Sequence, residues 1–290
     1  MRIYNNIPAL KTSISLGKVN KAKTSNLEKL SSGLRINKAA DDAAGLAISE
    51  KMRGQITGLK VAVRNSSDGQ AALQTAEGAM NEINTIIQRM RELCIQSMSE
   101  TYSQPERDKI LLEITEINNE ILRIAESTKF NGKQILNGDG TGPTGADFTL
   151  TLQIGANNDS SEQLDITILN VTKINKTIKN GLDDVEAAKG GTDAAVTTEL
   201  GNLLDVVDGE LENINKSRST VGAQINRLDF TINNLNSSIE NLTDAESRIR
   251  DLDMASEMVD FTRNNILSQT GSMMISTANK MPEGVLQLLQ

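Results

Sequence analysis

From Leu200 to Ile249 the sequence keeps one row of side chains in strict alternation of four and three residues. The row reads Leu200, Leu204, Val207, Leu211, Ile214, Arg218, Val221, Ile225, Leu228, Ile232, Leu235, Ile239, Leu242, Glu246, Ile249. Thirteen of these fifteen positions are apolar. Seven heptads exceed the three or four that define a coiled-coil pattern. A hydrophobic period of 3.5 residues winds helices left-handedly, and about 50 residues of helix make a rod of roughly 75 Å. Such a rod cannot bury its stripe alone, so the rest of the chain must supply partners.

Two upstream segments repeat the spacing. Leu73, Ala76, Met80, Ile83, Ile87, Met90 and Cys94 form one row, and Ile110, Ile114, Ile117, Ile121 and Ile124 another. Pro105 and Glu106 stand where the second helix would begin. Three helices with matching rows predict an intramolecular bundle. Composition agrees: aromatics are only 2% and tryptophan is absent, so the core must be aliphatic. The absence of histidine excludes His-based triads, His-ligated metal sites and the HExxH motif. A net charge of −8 gives no electrostatic footprint for nucleic acid or anionic membrane. No apolar run is long enough to span a membrane, and MRIYNNIPAL lacks the apolar core of a conventional signal peptide. The single cysteine, Cys94, falls in an apolar row and reads as a buried small hydrophobe.

Between the helical segments the period changes to two. Leu150, Leu152 and Ile154 alternate with polar residues, as do Leu164, Ile166 and Ile168, around the loop GANNDSSEQ. This predicts a β-hairpin near residues 148–170. Residues 137–146 and 187–193 read as loops. The chain ends are helical but weakly patterned. Ile3, Ile7, Leu10 and Ile14 follow the four-three rule, and Leu267, Met274, Ala278, Met281, Val285 and Leu288 make an amphipathic stripe. Isolated helices of this kind are marginal in water, so the ends are expected to pair with each other and then with other copies of the chain.

The stretch SSGLRINKAADDAAGLAIS, residues 31–49, has helix-forming composition but two glycines, an Asp-Asp pair and no clean apolar stripe. Near the other end the long row fails over residues 253–263, where Asp253, Ser256, Asp260 and Arg263 occupy its positions. Both segments read as connectors between a terminal two-helix block and a helical middle block. Asp41 and Asp42 read as a solvated or lysine-paired feature. The sequons at Asn170, Asn175 and Asn241 are of a kind common by chance, and serine or threonine O-glycosylation on exposed loops is the better expectation.

SSGLRINKAADDAAGLAIS is similar to the signature of bacterial flagellins. QRMRELCIQS, STKFNGKQIL, TLTLQIGANN, ESRIRDLDMASEM and the tail NKMPEGVLQLLQ resemble further blocks of that family, in order, over nearly the whole chain. The resemblance implies a mainly α fold. Its parts would be paired N- and C-terminal helices (residues 1–41 and 251–290) and a rod-like, coiled-coil-like helical domain with the small β-hairpin (42–250), without inserted outer domains. It implies a structural subunit of the flagellar filament with no enzyme activity and no cofactor. A hook–filament junction protein is the alternative, and a catalytic flagellin is disfavoured by the missing histidines and insert. The implied partners are other copies of the chain, flagellar cap and hook-associated proteins and an export chaperone. Export would run through the flagellar type III apparatus to the cell exterior without a cleaved signal peptide.

Arg89, Leu93 and Glu113 match family positions recognised by the flagellin-sensing innate immune receptor. Heptad phase puts Ile87, Met90 and Cys94 inward, Arg89 outward, Leu93 on the flank and Glu113 beside the inward Ile114. The three residues are expected to form an exposed patch serving assembly, receptor binding or both.

Overall fold

A computed structural model describes residues 6–138, 145–189 and 193–287, side chains of 193, 194 and 281–287 excepted. Ile3, Met281, Val285 and Leu288 of the expected terminal stripes therefore lie outside the described residues or side chains. Six helices are present among the described residues: α1 (Ile7–Ser32), α2 (Ala43–Ser97), α3 (Gln104–Ser127), α4 (Val171–Ala188), α5 (Asp193–Arg250) and α6 (Met254–Gln287). Backbone contacts divide the chain into two compact units, one of Met1–Ile56 with Glu240–Gln290 and one of Thr57–Ile239. The division falls inside α2 and α5, whereas the sequence suggested residues 41/42, in the connector before α2, and 250/251, where α5 ends.

The second unit holds the aliphatic core. Every member of the α2 row, from Leu73 to Cys94, is fully buried. Burial pushes the Cys94 thiol up to about 12, so it stays protonated and inert. On α5 the row splits. Leu200, Val207, Ile214, Val221, Leu228 and Leu235, one per heptad, are buried, while Leu204, Leu211, Ile225 and Ile232 are half-covered. Alternate members thus lie deep while those between them flank the core. Arg218, the polar member within this unit, donates through Nη2 to Glu77 Oε1 at 3.1 Å. Arg91 Nε similarly meets Asp208 Oδ1 at 2.5 Å.

α3 starts as predicted. Pro105 sits in its first turn, and the Ser103 N–H donates to Glu106 Oε2 at 2.8 Å. The bundle has a fourth helix that the sequence reading lacked. α4 packs on α3, burying Val171, Ile174, Ile178, Leu182 and Val185. Asn118 on α3 and Asn175 on α4 each donate their amide to the other's carbonyl, at 3.3 and 2.7 Å. Asn170 caps α4 through Thr172 N. Two of the three sequon asparagines, Asn170 and Asn175, are thereby buried.

The expected hairpin is present as β3 (Phe148–Gln153) and β4 (Gln163–Ile168), antiparallel with Leu150 opposite Ile166 and Leu152 opposite Leu164. A smaller hairpin, β1 (Lys129–Phe130) and β2 (Lys133–Gln134), turns at Asn131-Gly132. Both turn residues have positive φ, 50° and 80°, as a type I′ turn demands. Together with α4 it completes an architecture that is mainly α, with two small antiparallel strand pairs.

Candidate assembly surfaces

In the first unit α1 and α6 run antiparallel and in contact. α1 begins where Asn6 Oδ1 accepts from Ala9 N, with Pro8 in the first turn. It ends at Gly33, whose φ of 71° and bond to the Lys29 carbonyl make a left-handed cap. The covered face of α1 is Asn6, Ala9, Thr12, Leu16, Val19, Lys23, Asn26 and Leu30. That of α6 is Phe261, Asn264, Ser268, Gly271, Ile275 and Ala278. The contacts are largely polar or small. Asn6 Nδ2 donates to Ala278 O at 2.9 Å, Lys23 Nζ to Asn265 Oδ1 at 2.8 Å, and Ser268 Oγ to Asn20 Oδ1 at 2.8 Å. Gly271 lets Leu16 lie close; a Cβ there would stand 3.0 Å from Leu16 Cδ1.

Of the described members of the apolar rows singled out in the sequence, only Ala278 lies on the covered face; the others face the other way. Ile7, Leu10, Ile14, Leu267 and Met274 are all exposed, as are Met273, Ile266 and Val259. The terminal helices pair, but not along their most hydrophobic rows. Ile275 is half-buried between them. A signal for the covered faces was available: Thr12, Leu16, Val19, Lys23, Asn26 and Leu30 keep the four-three alternation on mixed residues.

The connectors are shorter than the sequence suggested. The chain leaves helix only over residues 33–42 and 251–253, and residues 254–263 are helical despite their polar positions. Leu34 bridges Asp251. Arg35 N donates to Arg250 O at 2.7 Å, Leu252 N to Gly33 O at 3.0 Å, and the Arg35 guanidinium to Ile249 O. Arg250 Nη1 meets Glu50 Oε1 at 2.5 Å, and this bond holds the Glu50 carboxyl below its usual range. Asp41 and Asp42 are capping groups. Asp41 Oδ2 accepts the N–H of Asn37 and Lys38, which lowers its pKa, and Asp42 Oδ1 accepts Gly45 N at 2.9 Å where α2 begins. Gly45 is needed because a Cβ would stand 2.8 Å from Ile36 Cδ1, and Ile36 is buried.

The three patch residues are partly brought together. Arg89 donates through Nη2 to Glu113 Oε1 and through Nη1 to Glu92 Oε2, both at 3.2 Å, and these bonds raise its pKa. Leu93 is not on the surface. It is 2% exposed and belongs to the core. The flank assigned to it from heptad phase is part of the same aliphatic core as the α2 row. The exposed apolar residue next to Glu113 is Leu112, which sequence reasoning missed. Its off-phase position beside buried Leu111 was the available sign. Among the described residues no group of His, Cys, Asp and Glu could hold a metal ion, and no helix is long and apolar enough to cross a membrane.

Comparison with known proteins accounts for the whole chain. The family model for the bacterial flagellin N-terminal helical region matches residues 3–141, and that for the C-terminal helical region matches residues 204–289. Flagellin of Bacillus subtilis (strain 168) is 46% identical over 306 residues, covering 100% of both chains. A flagellar filament 31.3 kDa core protein of Treponema maltophilum is 40% identical over 293 residues, again covering 100% of both. The solved structure of a putative flagellar hook-associated protein from Vibrio parahaemolyticus shares the fold with a TM-score of 0.58 at 13% identity, over 73% of this chain and 98% of that one. At that identity the likeness speaks to fold alone, whereas the full-length relatives are filament proteins. The chain belongs to the bacterial flagellin family.

Proposed function

We propose that this chain polymerises into a flagellar filament through the outward apolar rows of α1 and α6. The observation that carries the reading is the exposure of those rows: Leu10 is 59%, Ile14 55%, Met273 70% and Met274 56% exposed on helices that already have a partner. Contiguous apolar surface on that scale marks an interaction site, and further copies of α1 and α6 are its natural cover. In this reading the terminal helices, within residues 1–41 and 251–290, build the inner part of the filament, and residues 42–250 lie outside it. The role is structural, with no catalytic step. The chain would leave the cell through the flagellar type III apparatus with an export chaperone, and meet cap and hook-associated proteins at the filament ends. The Arg89–Glu113 pair, with Leu112 beside it, is an assembly contact that the innate immune receptor could also read.

Removing residues 267–290 tests the proposal. The truncated chain should keep the helicity and melting of the second unit and lose polymerisation altogether in sedimentation and electron microscopy. Filaments that seed and grow from it would end the assignment.

A further inference from the structure

Within the second unit a cavity of about 840 Å³ opens between Glu100–Ser103, the first turn of α3 and Thr197-Thr198 in the second turn of α5. Arg107 lines it and is only 4% exposed. Its sole protein partner among the described residues is the Ser99 carbonyl, at 3.3 Å from Nη2. Its Nε has none, and no described carboxylate pairs with it. Gln104, on the same wall, has both side-chain polar atoms buried without a protein partner. Tyr102 Oη accepts from Gln96 Nε2 at 3.0 Å, which leaves its own O–H free to donate.

A buried guanidinium is costly unless a counter-charge meets it. Here the missing charge would also face the start of α3, whose N-terminal N–H groups and dipole favour anions, while Glu100, also on the lining, opposes them. The unmatched atoms specify the anion further. Arg107 Nε and Gln104 Nε2 need acceptors, while Gln104 Oε1 needs a donor. A hydrogen phosphate group supplies both, through its oxygens and its hydroxyl. Sulfate supplies only acceptors at neutral pH. The protein's net charge of −8 argues against general anion attraction, so binding here would rest on these side chains.

We propose that this cavity binds the free hydrogen phosphate ion on Arg107 and Gln104. The site uses none of the residues named above for polymerisation.

Monomer titrated with inorganic phosphate at constant ionic strength, followed by calorimetry and by ³¹P NMR, should show saturable binding with a rise in melting temperature. Sulfate should bind more weakly. Glycerol phosphate forms a second arm: a monoester is mainly a dianion without a P–OH at neutral pH and should bind more weakly, and tighter binding than inorganic phosphate would overturn the assignment to the free ion. Arg107→Gln should lose at least about tenfold in affinity, and Gln104→Ala several-fold, with helicity retained. If Arg107→Gln fails to fold, the parent titration and Gln104→Ala decide. No saturable binding by the parent, or equal binding by Gln104→Ala and the parent, would overturn the proposal.

Discussion

The two units carry the same four-three alternation and use it in opposite ways. In the second unit the apolar row of α2 faces inward and is fully buried from Leu73 to Cys94. In the first unit the apolar rows of α1 and α6 face outward, and the paired faces hold Asn6, Lys23, Asn26, Ser268 and Gly271. A helix with a heptad repeat has more than one eligible face, and periodicity alone does not say which meets a partner in its own subunit. The chemistry of the rows supplies the answer. A row of Ile, Leu and Met buried inside the subunit gives stability. The same residues left outside, above a polar and small-residue pairing, leave the stability of the subunit modest and reserve hydrophobic area for assembly.

The sharpest way to break this comparison is to make one substitution in both units. Leu228→Asp places a carboxylate at a fully buried position in an aliphatic core. It should cost several kcal/mol and abolish cooperative melting of the second unit by circular dichroism. A variant melting close to the parent would show that the α5 row is not the core. Next in size is Leu93→Ala, at a position 2% exposed. It should destabilise the monomer by about 2–4 kcal/mol, measured by denaturant unfolding. An unchanged midpoint would return Leu93 to the surface. Leu10→Asp is the counterpart of Leu228→Asp in the first unit. Leu10 is exposed, so the monomer's melting should stay within about 0.5 kcal/mol of the parent. Polymerisation should nevertheless be blocked, because neighbouring copies would have to bury the carboxylate. A monomer that unfolds, or a variant that assembles normally, would each contradict the division of labour.

Much of the fold was legible in the sequence because it rests on long repeats. The α2 and α5 rows, the α3 start at Pro105 and the β3–β4 hairpin follow from spacing and turn residues. What escaped was short or mixed. α4 carries its apolar residues at Val171, Ile174, Ile178, Leu182 and Val185, a clear stripe, but one interrupted by sequons and lysines and following directly on a strand. The two-residue strands around Asn131-Gly132 are too short for periodicity to register. The polar stretch after Asp253 is helical because the neighbouring α1 face, not an apolar core, is what α6 packs against. The connector's glycines and aspartates were legible as irregular, but their roles depend on caps and on residues 200 or more positions away, such as Arg250 against Glu50.

The smallest expected effect on stability belongs to Arg89, and it sharpens the comparison most finely because Arg89 and Leu93 lie one helical turn apart. Heptad phase made them members of one exposed patch; the structure puts one on each side of the surface. Arg89 pairs with Glu92 and Glu113 through side chains that are all about half exposed or more. Water and salt screen such pairs. Arg89→Ala should therefore leave helicity and the unfolding midpoint unchanged, in contrast to Leu93→Ala. Any loss should appear only between molecules, as weaker polymerisation in sedimentation and weaker binding of purified monomer to the innate immune receptor. Leu112→Ala, which removes the exposed apolar neighbour of Glu113, should act in the same direction without touching the core. If both surface variants polymerise and bind like the parent, the Arg89–Glu113 pair is a solvated rim, and contacts between subunits must be sought on the terminal helices alone.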